Sequence, residues 1–281
     1  FRYLGSNEGW VFGSSRGLAG DALKEFSFVD TTAVIINGNA QALNVFGSGE
    51  NGHVLSGTFV NIAGNAIIVG VPLHNTDYVI PSGSTYSGVT VHLYGSDGEL
   101  VEDEFGVGRL VTRGNVFGGG KGSDFIPWLA NHQYSYSAGR TYGNATVKIE
   151  DNALIYNRVF GGGLLASVGT FTEDANHAIT GVVDGTGLAT VTIEGGTIGS
   201  PGSDGFNNGE VYGGSRGLPG RRVGEGGTID PLHQALDLAY VGNTDVTISG
   251  GKIGRDEVKA KGSDDPGYVM FGGMTMGNVY G

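Results

Sequence analysis

The sequence predicts an all-β fold, a right-handed parallel β-helix (β-solenoid) with irregular loop inserts and one or two short helices. Three observations lead there. A short alternating strand unit closed by a glycine turn recurs along the chain. An aromatic–glycine corner recurs between those units. Helix signals are nearly absent.

The strand unit reads Val34-Ile35-Ile36-Asn37-Gly38-Asn39-Ala40 near the start and returns over 60–66, 147–153, 191–198 and 246–253, with a looser copy, Val91-His92-Leu93-Tyr94-Gly95. Its apolar residues sit two apart, so one face turns inward and the other outward. The outward position is Ile35, Asn61, His92, Lys148, Thr192 and Thr247 in successive copies. The Gly-Asn, Asp-Asn or Gly-Gly that follows supplies residues able to take positive φ.

The corner reads Val11-Phe12-Gly13, Val45-Phe46-Gly47, Val116-Phe117-Gly118, Val159-Phe160-Gly161, Val211-Tyr212-Gly213 and Val279-Tyr280-Gly281. Each ring is expected to stack on its counterpart in the next coil, beside glycines that let the backbone turn. Two corners share more: 13–20 matches 213–220 at six of eight positions.

Corner valines fall at 11, 45, 116, 159, 211 and 279, at gaps of 34, 71, 43, 52 and 68. Variable gaps predict a constant cross-section with loops of different length inserted at one edge. The insert over 229–236 carries a helix signature, with Asp230 as N-cap and Pro231 at the first helical position. Roughly eight to eleven coils are expected, a rod on the order of 40–50 Å. Its open ends need covering by neighbouring repeats or caps. Residues 1–281 read as one repeat segment of a longer array, since the chain opens on Phe1 and stops inside a corner. An antiparallel sandwich fits less well, because the turns are not flanked by paired hairpin strands.

Composition agrees. Glycine supplies 55 of 281 residues and proline 7, while 39% of the chain is hydrophobic. That is enough apolar surface for a core and too aperiodic for collagen. No apolar run is long enough for a membrane-spanning helix. Cysteine is absent, which removes disulfides, thiolate metal sites and cysteine nucleophiles. A net charge of −12 disfavours a nucleic-acid partner.

Chemistry is harder to find. Gly119-Gly120-Lys121-Gly122-Ser123-Asp124-Phe125-Ile126 fits one copy of a calcium nonapeptide, and Asp97, Glu99, Glu102 and Asp103 lie in or beside the densest acidic stretch. Asp124 and these four are the calcium candidates; a solvated loop and an Asp-closed turn are the plainer readings. No other cofactor is expected. The outward strand positions carry no row of carboxylates, so no catalytic residue is assigned. A carbohydrate-active β-helix enzyme remains the alternative, through chemistry brought in by an insert. Gly47-Ser48-Gly49-Glu50-Asn51-Gly52 matches a dinucleotide pattern but precedes a strand, which excludes it. Trp128, Tyr134, Tyr136 and Tyr142 form the most aromatic insert. They are the candidate glycan contacts, the alternative being that they pack down over the edge of the sheets.

Val191-Thr192-Ile193-Glu194-Gly195-Gly196-Thr197-Ile198-Gly199, followed by Glu210-Val211-Tyr212-Gly213-Gly214, resembles the large glycine-rich repeat proteins on the surface of gut-type bacteria. The resemblance covers about 10–281; the inserts around 72–110 and 164–188 depart from it. It implies an adhesin-like, extracellular, β-helical segment. It has no shared catalytic residues to carry over. The expected function is a rigid stalk or a glycan- or host-surface-binding module, with neighbouring repeats as partners and no membrane insertion.

Overall fold

The computed structural model describes residues 9–17, 27–69, 114–122, 137–175, 179–199, 209–217, 239–254 and 278–281, and the backbone of four short strands between 85 and 110. Among them the chain is all-β, with no helix. The helix expected over 229–236 lies outside the described residues, as does the looser strand copy 91–95.

The chain runs through three parallel sheets in a fixed order. The first pass is β1 (Trp10–Phe12), β2 (Phe28–Ile36) and β3 (Gln41–Ala42). The second is β4 (Asn44–Phe46), β5 (His53–Ile62) and β6 (Ile67–Ile68). Two antiparallel pairs follow, β7 (Thr85–Tyr86) with β8 (Val89–Thr90), and β9 (Leu100–Glu102) with β10 (Gly108–Leu110). The third pass is β11 (Asn115–Phe117), β12 (Asn144–Ile149) and β13 (Leu154–Ile155). The fourth opens with β14 (Arg158–Phe160), detours through the antiparallel pair β15 (Phe171–Glu173) and β16 (Ile179–Val182), and resumes with β17 (Leu188–Ile193) and β18 (Thr197–Ile198). The fifth is β19 (Glu210–Tyr212), β20 (Asn243–Ile248) and β21 (Lys252–Ile253), and β22 (Asn278–Tyr280) closes the series.

Sheet A is therefore β1-β4-β11-β14-β19-β22, sheet B is β2-β5-β12-β17-β20, and sheet C is β3-β6-β13-β18-β21. Among the described residues there are five passes and one further A strand.

Register makes the passes into columns. In sheet B, Val34, Val60, Val147, Val191 and Val246 are successive partners, and so are Ile36, Ile62, Ile149, Ile193 and Ile248. All of these except Ile248, which is exposed, meet the sheet A valines, from Val11 to Val211, and the sheet C residues Ala42, Ile68, Ile155 and Ile198 in one apolar core. Strand alternation puts the next residue of sheet A on the opposite face. There Phe12, Phe46, Phe117, Phe160, Tyr212 and Tyr280 stack ring on ring, with centroids 4.7–4.9 Å apart. Leu164, Leu165 and Trp10 complete this second cluster. Each stacked pair adds about 0.5–1.5 kcal/mol beyond its area.

The corner glycine after each ring is dictated by close approach. A methyl on Gly118 would fall on the Gly161 carbonyl oxygen and against Val147; Gly13, Gly47 and Gly161 meet the same obstacle from the next pass. The B-to-C turn instead needs positive φ. Gly38, Gly64, Gly196 and Gly251 supply it, and Asp151 takes the same conformation at φ 58°.

Candidate functional site

The outward face of sheet B gathers the polar side chains. Ile35, Asn61, Lys148, Thr192 and Thr247 form one column, as their spacing predicts. Beside it run Ala33, Phe59, Thr146, Thr190 and Asp245. Lys148 is the cation of this face. Its Nζ lies 2.6 Å from Glu150 and 2.9 Å from Glu194, and Asn61 donates from Nδ2 to the other Glu150 oxygen at 2.9 Å. The hydrogen bond donated to Glu150 pushes the ammonium above the usual lysine range, that to Glu194 adding to it. The same bond, and then that from Asn61, holds the Glu150 carboxyl below its ordinary value. Both groups are driven away from neutrality, the opposite of what a general acid or base requires.

A second group lies on the approach to sheet B. Val54, near the start of β5, is linked by single parallel bridges to Thr141, then Val168, then Val241, and these three lie outside the strands. Arg140 and Tyr142 flank Thr141. The Arg140 guanidinium is buried, 5.7 Å from the Tyr142 ring centre and 5.6 Å from that of Phe171, and 3.3 Å from Glu173. Tyr142 is half-buried and tilted against His53 and the more exposed Phe28. Of the four candidate glycan contacts, Tyr142 is thus built into the edge of the sheets. Trp128, Tyr134 and Tyr136 lie outside the described residues.

The calcium candidates Asp97, Glu99, Asp103 and Asp124 also lie outside the described residues; Glu102 ends β9, and only its backbone is described. Among the described residues no three His, Asp or Glu side chains gather in a cation-binding geometry.

A buried charge pair escaped the sequence reading. Arg158 and Glu210 are register partners, 2.5 Å apart from Nε to Oε2. The Tyr212 hydroxyl donates to the same Glu210 oxygen at 2.8 Å. Burial, and then Glu210, pushes that phenol well above its usual range. The signal was available: the position before each corner valine reads Trp10, Asn44, Asn115, Arg158, Glu210, Asn278. Asn115 donates from its backbone N–H to the Asn44 side-chain oxygen at 3.0 Å, so this column is a polar ladder on the aromatic face.

Another such column follows the corners. Glu50 accepts from Lys121 at 3.0 Å and meets Arg16 at 3.3 Å on its other side. The charges of three passes are thereby interleaved, positive, negative, positive.

No family model, curated protein or solved structure matches the chain. No helix among the described residues is long and apolar enough to cross a membrane.

Proposed function

We propose that the chain is a stretch of right-handed parallel β-helix serving as a rigid structural segment of a secreted or cell-surface bacterial protein. The observation that carries this reading is the shared register of three parallel sheets over five passes, with the inward columns of sheets A and B filled by valine and isoleucine and one column of sheet A by stacked rings. Each A–B–C pass is then one coil, and a crossover between parallel strands of one sheet favours the right hand. A rod whose coils are pinned by stacked rings and abutting glycines resists bending, which suits a stalk. The outer face of sheet B supports the same role. Its side chains are mostly short, and its lysine is held between two carboxylates.

Two measurements test this. An experimental structure gives the path of the chain. Successive A, B and C strands that close one coil about 4.8 Å above the last are expected; sheets that stay open overturn the β-helix. Binding to a broad glycan and mucin panel separates support from adhesion. A stalk gives no selective signal. Saturable binding that weakens in Tyr142→Ala would replace the supporting role with an adhesive one.

A further inference from the structure

The apolar columns do not tell one pass from another. β4 and β11 both read Asn-Val-Phe, and every B strand brings a valine and an isoleucine to the same two columns. Set directly on β4, β14 would lay Val159 on Val45 and Phe160 on Phe46 as well as it lays them on Val116 and Phe117 of β11. At the moment two passes first meet, the wrong neighbour asks only for a longer connection, and loop length costs little. Valines, isoleucines and rings by themselves therefore specify the order of the passes weakly.

Charge distinguishes the passes. Each junction between successive passes carries an ion pair. Arg16 meets Glu50 between the first and second, and Glu50 meets Lys121 between the second and third. Lys148 meets Glu194, and Arg140 meets Glu173, between the third and fourth; Arg158 meets Glu210 between the fourth and fifth. Arg16, Glu50 and Lys121 stand in one column, since Asn51 donates its N–H to the Arg16 carbonyl and Gly122 its N–H to the Glu50 carbonyl. Passing over the second pass would bring Lys121 to Arg16, like against like. Passing over the third would take Lys121 from Glu50 and Lys148 from Glu194. Passing over the fourth would set the buried Glu210 beside Asn115 and part it from Arg158. A buried charge parted from its partner is costly, and the best-attested use of such a pair is to set register. We propose that these ion pairs are the order code of the fold: they select which pass stacks on which as the chain folds, while the apolar columns supply the stability. The inference rests on the pairing of the sheets and on neither the stalk nor the adhesive role.

The chain has no cysteine, so introduced pairs report which passes are neighbours. Thr192 and Thr247 are partners on the fourth and fifth passes, and cysteines there lie within disulfide reach. Thr146 and Asp245 share an outward column with Thr190 between them, about 9.6 Å apart, and link only if the fifth pass stacks on the third. Refolded from urea and then oxidised, the parent chain is expected to form the T192C–T247C link and not the T146C–D245C link. With Arg158→Gln and Glu210→Gln together, the T146C–D245C yield is expected to rise at least about tenfold at the expense of T192C–T247C. The exchanged pair, Arg158→Glu with Glu210→Arg, restores the parent result. Lys121→Glu is a second, independent test should the neutral variant fail to fold. It repels Glu50 and attracts Arg16, and is expected to link A33C to T146C, outward residues of the first and third passes. Parent linkage in the neutral variant or in Lys121→Glu overturns the inference. So does mislinking of the exchanged pair to the same extent as the neutral one, which would mean that shape and not charge sets the order. A T146C–D245C link in the parent chain removes the sheet pairing itself.

Discussion

The column Val54–Thr141–Val168 contains one buried hydroxyl among branched apolar side chains. All three residues are fully buried, and the Thr141 Oγ1 has no hydrogen-bond partner among the described residues. Thr141→Val keeps the shape and removes the oxygen. An unmet buried hydroxyl carries a desolvation penalty of about 1–3 kcal/mol. Relief of part of it is expected to stabilise the fold by about 1–2 kcal/mol, raising the melting midpoint by about 2–6 °C for a chain of this size. Thr58 is the internal control. It is also buried in a sheet column, but its hydroxyl donates to the Gly118 carbonyl at 2.6 Å. There the same change, Thr58→Val, strands an acceptor and is expected to destabilise by about 1–2 kcal/mol. Urea titration of the three proteins, followed by far-UV circular dichroism, reads both signs. Thr141→Val at or below wild-type stability would refute the reasoning, because the hydroxyl would then have a partner.

Other changes probe other terms. Gly118→Ala should destabilise by about 2–4 kcal/mol, since its methyl meets the Gly161 carbonyl. Gly38→Ala, in open space at φ 65°, should cost only about 1–2 kcal/mol; thermal melts rank the two. Phe117→Ala opens a hole in the ring stack at a fully buried site and should cost about 3–5 kcal/mol, with loss of near-UV signal. The Glu150 carboxyl titrates lower when folded than unfolded, so it contributes stability above its ordinary value near 4.5, lost as pH falls through the depressed folded value. Glu150→Gln should therefore flatten the acid limb of a stability–pH curve, modestly because the pair is partly exposed.

Much of this architecture is legible in the sequence because its two units are local. Period-2 alternation from Val34 to Ile36, or from Val191 to Ile193, lies inside one strand and needs no partner to be recognised. The corner is equally local, and the six copies named from sequence are the six strands of sheet A. What escaped is set by pairing across inserts. The strands of sheet C are two residues long, below the length at which a period can be seen. Thr141 and Val168 enter a column only because hydrogen bonds place them there. The Arg158–Glu210 pair spans 52 positions and shows only when corners are aligned. Among the binding candidates, Tyr142 could be named as aromatic. Its seat between Arg140, His53 and Phe28 is a tertiary property that no local pattern carries.

Asn44 and Asn115 touch although 71 positions separate them, while Trp10 and Asn44, separated by 34, are paired in the same way. Closing a loop twice as long costs only about 0.6 kcal/mol more entropy. Chain length between passes is thus nearly free of thermodynamic penalty, and the column beneath is blind to it. Such a scaffold can lengthen, shorten or exchange its lateral loops through evolution without renegotiating its interior. Variation concentrated in the inserts, over an invariant ladder of valines and rings, is the pattern its relatives should display.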